Sequence, residues 1–215
     1  IANLPDSLSA PEREAAIKEI DSRMLGRLER RNSWSCGITR DNPNLLSFIT
    51  IDPLMDERTM VDEILDKVKN QGATGIKLHP ASQRYFPNDH RLWPAYRTAQ
   101  QLGLPIITHA GSFAAPLPYA QPGNFEEVLR EFPDMTLIMA HLGMGFFHES
   151  TSLARTYPNL QFDCCGIIGH TEAQGGLPDQ DLTALIKEIG VERVMFGSDF
   201  PWFDPAVSID RLLRL

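Results

Sequence analysis

Three short apolar runs each end in a side chain able to hold a metal ion, and this repetition constrains the fold more than any other feature. Arg193 to Trp202, RVMFGSDFPW, passes from Val194, Met195 and Phe196 into Gly197, Ser198 and Asp199; Pro105 to Gly111, PIITHAG, ends in His109; Thr136 to Gly143, TLIMAHLG, ends in His141. Runs of this length and content read as strands buried on both faces, as in parallel sheets. An ionised aspartate delivered at the end of such a strand needs a partner, because an unpaired charge is costly away from water. Two histidines and an aspartate at the C-terminal ends of buried strands are the arrangement from which a (β/α) barrel builds a metal site.

The segments between these runs have helical periodicity. Ser9, Ala10, Pro11 and Glu12 carry a Ser-x-x-Glu capping signature, and Ala15, Ile17, Ile20, Met24, Leu25 and Leu28 follow at helical spacing. Leu45 to Asp52, closed by Pro53, predicts a strand. Asp56 is placed to cap a helix carrying Met60, Val61, Ile64, Leu65 and Val68 and stopped by Gly72, and GIKLHP, Gly75 to Pro80, is a further strand. A helix from about His90 to Leu102 ends at Gly103. After PIITHAG comes a Pro-rich loop, Ser112 to Gly123, long enough to form a substrate wall. Asn124 is expected to cap the helix FEEVLREF. TLIMAHLG, a helix over His148 to Thr156, a strand Leu160 to Cys164, a helix Asp181 to Ile189 stopped by Gly190, RVMFGSD, and a last helix opened by Asp204 and Pro205 complete the chain.

Six strands separated by helices give an α/β chain with a parallel sheet wrapped by helices. A closed barrel has eight strands. The expectation is therefore a TIM (β/α)8 barrel forming a single domain over residues 1–215, with two strands preceding residue 1 and the last helix incomplete; the chain does not begin with Met.

Composition narrows the partners. A net charge of −8 without a block of like charges argues against nucleic-acid and anionic-membrane surfaces, which need clustered Lys and Arg, and leaves a small molecule as the expected ligand. A homodimer is the candidate assembly. Three cysteines, Cys36, Cys164 and Cys165, are too few for a disulfide framework and point to a reducing, cytoplasmic compartment. No run approaches a membrane span, and IANLPDSLSA lacks the pattern of a signal peptide.

GIKLHP, PIITHAG, LIMAHLG and RVMFGSDFPW, in this order, resemble the amidohydrolase superfamily, specifically the amidohydrolase 2 branch of metal-dependent TIM-barrel hydrolases and decarboxylases, over nearly the whole chain from Phe48 onward. The resemblance implies a divalent metal ion, zinc first and manganese or iron next. It implies that His109 is the strand-five ligand, that His141 contacts substrate or water in single-metal members, and that Asp199 is both a ligand and the proton acceptor. The family's first strand carries a His-x-His or Glu-x-His pair that this sequence lacks: its six histidines are His79, His90, His109, His141, His148 and His170. Lys77 stands near the lysine that bridges two metals in other members and is read here as a charged substrate-binding residue, with a plain ion pair as its alternative.

Several residues carry two readings. His79 faces the same way as Lys77 and suits a substrate contact or packing; Trp202 and Tyr119 suit the pocket wall or aromatic packing. His90, His148 and His170 read as surface or loop residues. Cys164 and Cys165 read as small buried residues, with no basic partner evident that would make a thiol nucleophile. The expected activity is metal-dependent hydrolysis of a small amide, ester or lactone, with Asp199 and His141 catalytic. The first alternative is a non-oxidative decarboxylase of an aromatic or unsaturated carboxylic acid. Others are an aldolase with Lys77 as Schiff-base nucleophile and a non-catalytic barrel remnant.

Overall fold

The structure, a computed structural model, describes residues 4, 5, 7–112 and 118–215. The chain forms two compact units, Ile1–Gly75 and Ile76–Leu215.

The first unit holds α1 (Ala10–Asp41), β1 (Phe48–Ile49) and α2 (Glu57–Gln71). The Glu12 carboxylate accepts from the Ser9 N–H at 2.9 Å and the Ser9 hydroxyl at 2.6 Å, and Asp56 accepts from the Thr59 N–H at 2.9 Å, so both helices begin where their caps predict. Gly72, at φ 78°, ends α2 in the left-handed conformation that other residues avoid. The strand expected over Leu45 to Asp52 shrinks to Phe48–Ile49. The cause is the buried Asn32 of α1, whose side chain takes both the N–H of Thr50 (2.9 Å) and its carbonyl (2.8 Å), groups a longer ladder would need. The Asn32 amide also donates to Glu63, which pairs with the buried ammonium of Lys67 at 3.2 Å.

The second unit carries parallel strands in chain order: β2 (Gly75–Leu78, starting at the boundary), β3 (Ile106–Thr108), β4 (Leu137–Met139), β5 (Leu160–Asp163) and β6 (Val194–Met195). Between and after them come α3 (Pro80–Gln83), α4 (Trp93–Leu102), α5 (Glu126–Glu131), α6 (Phe147–Thr156), α7 (Asp179–Ile189) and α8 (Pro205–Leu212). Ile76, Leu78, Ile106, Leu137, Met139, Leu160 and Phe162 are fully buried between sheet and helices, as continuous apolar strands require. The buried guanidinium of Arg211 in α8 ties the segment after β5 together. It donates to the carbonyls of Ile167, Ile168, His170 and Leu177 and to the Asp179 carboxylate.

Two expectations need correction. The strand at Val194 is not buried on both faces: Met195 and Phe196 are 41% and 42% exposed, because β6 is the edge strand and only β5 pairs with it among the described residues. Asn124 does not cap a helix; it lies inside a 3₁₀ turn, Pro122–Phe125, that leads into α5, and its amide donates to the Pro118 carbonyl. Part of the Pro-rich loop read as a substrate wall, 113–117, lies outside the described residues. Among the described residues no helix is long and apolar enough to cross a membrane.

Candidate metal centre

Strand register decides which side chains meet. Leu78 stands opposite Thr108, Thr108 opposite Met139, Met139 opposite Phe162, and Asp163 opposite Met195, so the strands finish level. The residues at or just past those ends share one edge: Lys77 and His79, His109, His141, then Asp163 and Cys165, and finally Asp199. His109, His141 and Asp199, the three residues on which the sequence reading rests, are among them.

His109 and His141 meet directly, with Nδ1 of His109 3.0 Å from Nε2 of His141 and the rings edge to face. His141 is 4% exposed, and its other ring nitrogen, Nδ1, lies 2.9 Å from the Cys165 carbonyl oxygen. A carbonyl only accepts, so Nδ1 carries a proton, and in the neutral form of the ring the lone pair then lies on Nε2, aimed at His109. The gap between the two nitrogens is closed either by one proton or by a cation that both ligate. His79 stacks on the other face of the cluster, its ring 4.1 Å from that of His109 and nearly parallel, while its Nδ1 accepts from the Ser82 N–H at the start of α3.

Two of these rings, His109 and His79, are disfavoured in their charged form. Burial first, then the neighbouring charges of His79, His141 and Lys77, push His109 down to about 3, with the Gly111 backbone carbonyl on its ring working the other way. Burial and then Lys77 lower His79, while the negative charge of Asp199 partly offsets them. Asp199 itself sits at φ 61°, a sparsely populated conformation for a non-glycine residue that recurs at functional sites, and its backbone carbonyl accepts from the Trp202 N–H.

A second layer, built from β5, escapes sequence reading. Asp163 Oδ1 accepts the backbone N–H of both His141 and Cys165 at 3.0 Å. Gly166, at φ 71°, packs where a Cβ would stand 3.1 Å from His141 Nδ1 and 3.7 Å from Asp199 Oδ2, so the imidazole and the carboxylate flank one glycine. The thiol of Cys165 lies 3.2 Å from His141 Nδ1, which corrects the expectation that no basic group stands near these cysteines. The chemical conclusion survives: burial and the Asp163 charge push that thiol up, and the adjacent nitrogen is already donating to a carbonyl. His141, Asp163 and Cys165 offer ligand atoms within 4.8 Å of one another, but this Nδ1 proton and these Oδ1 lone pairs are used within the protein. The only available hint in the sequence was that LQFDCCG also ends an apolar run in a carboxylate.

The remaining candidates scatter. Lys77 is half-buried at the end of β2, and its charge reaches His79, His109 and Cys165. Tyr119 is half-buried with its ring edge-on to Phe86 at 5.0 Å, and Trp202 is 81% exposed. His90 and His148 are exposed, and His170 bonds to the Gln174 carbonyl in the segment after β5.

The family pattern described as amidohydrolase matches residues 27–215. No curated protein matches the sequence. Among solved structures, an uncharacterized TIM-barrel protein from Bordetella bronchiseptica superposes with a TM-score of 0.73 at 20% identity, covering 86% of this chain and 64% of its own. The 5-carboxyvanillate decarboxylase of Sphingomonas paucimobilis gives 0.66 at 17% identity, with coverage of 87% and 66%. A dihydroxybenzoic acid decarboxylase from Polaromonas, solved with manganese and 2-nitroresorcinol, gives 0.68 at 16% identity, with coverage of 90% and 70%. The chain thus spans about two thirds of the length of these neighbours, which place its fold among TIM barrels.

Proposed function

This chain belongs to the amidohydrolase family, and on that premise we propose that it is a metal-dependent hydrolase of a small carbonyl compound bearing a carboxylate. The observation that carries the reading is the pair of converging imidazole nitrogens, 3.0 Å apart in a site whose burial disfavours a charge on His109, with Asp199 across Gly166. The donor set suits a divalent cation: at metal–nitrogen distances of about 2.0–2.1 Å, two ligating nitrogens stand roughly 3.0–3.4 Å apart. His109, His141 and Asp199 would hold the ion, zinc being our first choice and manganese, the ion of the Polaromonas neighbour, the second. Bound there, such an ion polarises a carbonyl and lowers the pKa of water.

The protein groups supply the rest. Asp199 takes a proton from the attacking water and passes it to the leaving group. His141, with Nδ1 committed to Cys165, offers a lone pair at Nε2 and so acts as a ligand or proton acceptor rather than as a neutral donor. Lys77 pairs with the substrate carboxylate, and His79, stacked on His109, walls that side. Trp202 and Tyr119 are proposed as outer walls of the pocket.

A non-oxidative decarboxylase is the second reading, favoured by the Sphingomonas and Polaromonas neighbours, both decarboxylases of aromatic acids by name. The discriminating experiment supplies metal-loaded protein with an ester, lactone and amide panel and with aromatic carboxylates, following hydrolysis and carbon dioxide release together. Metal-dependent hydrolysis that Asp199→Asn lowers by about 100-fold or more is the expected result. Carbon dioxide release without hydrolysis would replace the hydrolase by the lyase. Covalent trapping of a substrate on Lys77 by borohydride would point instead to the Schiff-base chemistry of an aldolase.

A further inference from the structure

Asp163 takes no part in the chemistry above, yet it lies at the centre of the contacts that shape His141. Its position follows from register: Phe162 pairs with Met139, so the next residue of β5 arrives beside the turn Ala140–Gly143 that carries His141. That turn is unusual, with His141 at φ 61° and Leu142 at φ 51°, both in the left-handed region that non-glycine residues rarely adopt. Turned away from the strand direction, the His141 N–H meets Asp163 Oδ1 instead of a ladder carbonyl, and the same oxygen takes the Cys165 N–H. This second bond holds the Cys165 peptide so that its carbonyl faces His141 Nδ1. His141 is thus gripped at its backbone by Asp163 and at its ring by a peptide that Asp163 also holds.

We propose that Asp163 is the positioning residue of His141: by holding the His141 and Cys165 amides on one oxygen, it stabilises the left-handed turn and fixes the tautomer that leaves Nε2 facing His109. The inference rests on the proposed role of His141, but its central observable, the tautomer, is independent of any activity. Without the carboxylate two amides lose their acceptor and the Cys165 carbonyl is free to turn away, leaving either ring nitrogen able to carry the proton. An amide side chain keeps an acceptor oxygen of the same shape, so Asp163→Asn should preserve the arrangement that Asp163→Ala destroys.

The test is a long-range ¹H–¹⁵N correlation of the histidine rings in metal-free full-length protein, with His141→Ala to assign the resonance, followed by kinetics of the metal-loaded enzyme. The proposal expects His141 in the Nδ1–H form in the wild type and in Asp163→Asn, and a mixture of tautomers in Asp163→Ala. It further expects Asp163→Ala to lose 10–100-fold in kcat with KM changed less than about three-fold, while Asp163→Asn stays within a few-fold of wild type. An unchanged Nδ1–H form in folded Asp163→Ala would overturn it, as would equal loss of the tautomer in Asp163→Asn. If the tautomer responds as expected but His141→Ala retains full activity, the grip of Asp163 stands and the catalytic role of His141 falls.

Discussion

At His141 the imidazole, the Asp163 carboxylate and the Gly166 backbone come so close that small changes should be felt. A Cβ at position 166 would stand 3.1 Å from His141 Nδ1 in a backbone at φ 71°. Gly166→Ala is therefore expected to cost about 1–2 kcal/mol through conformation alone and to lower activity further by displacing the imidazole. Urea titration and steady-state kinetics check this, and an unaltered variant would remove the close packing from the account. The His109 shift makes a second prediction. Its folded pKa, about 3, lies below the ordinary 6.5, so between those values the unfolded chain binds more protons than the folded one. Stability of the metal-free protein should accordingly fall as pH drops from about 6.5 towards 3, with no contribution from this group above that window. His109→Asn should flatten part of the slope of urea midpoint against pH; an identical slope would show the site is not the cause. That His109, His141 and Asp199 stand at one sheet edge was legible because each closes an apolar run. Asp163, Cys165 and Gly166 were not, because they act through a backbone turn, a carbonyl and the lack of a side chain, none of which residue type reveals.

Among the elements, most helix ends were read correctly, the Asn124 cap excepted, and strand lengths were not. The Ser9–Glu12 and Asp56 caps and the Gly72 and Gly103 stops are local devices that act within a turn of the chain. Asp56→Ala removes the acceptor of the Thr59 N–H and should destabilise the first unit by about 1 kcal/mol, read as a shift of its urea midpoint; no shift would mean the cap is redundant. Strand length instead depends on what lies alongside. Asn32 diverts the Thr50 hydrogen bonds and shortens β1, and β6 is exposed because its outer edge has no strand partner among the described residues. Neither neighbour is visible in the strands' own residues.

For the whole molecule, the alternation of strand and helix was legible from periodicity alone, and the family match over 27–215 agrees with it. That both units form one barrel domain is our proposal, as is the ion. If a cation binds the folded protein and not the unfolded chain, saturation to 100 times its Kd should raise stability by about 2.7 kcal/mol. The most direct test of the central claim, that His109, His141 and Asp199 together hold the ion, is a calorimetric titration of metal-stripped protein with manganese, for the wild type, His109→Ala and Asp199→Asn. The account predicts one equivalent bound by the wild type and affinity weakened by more than about ten-fold in each variant. Absence of binding to the wild type, or equal binding by all three, would contradict it.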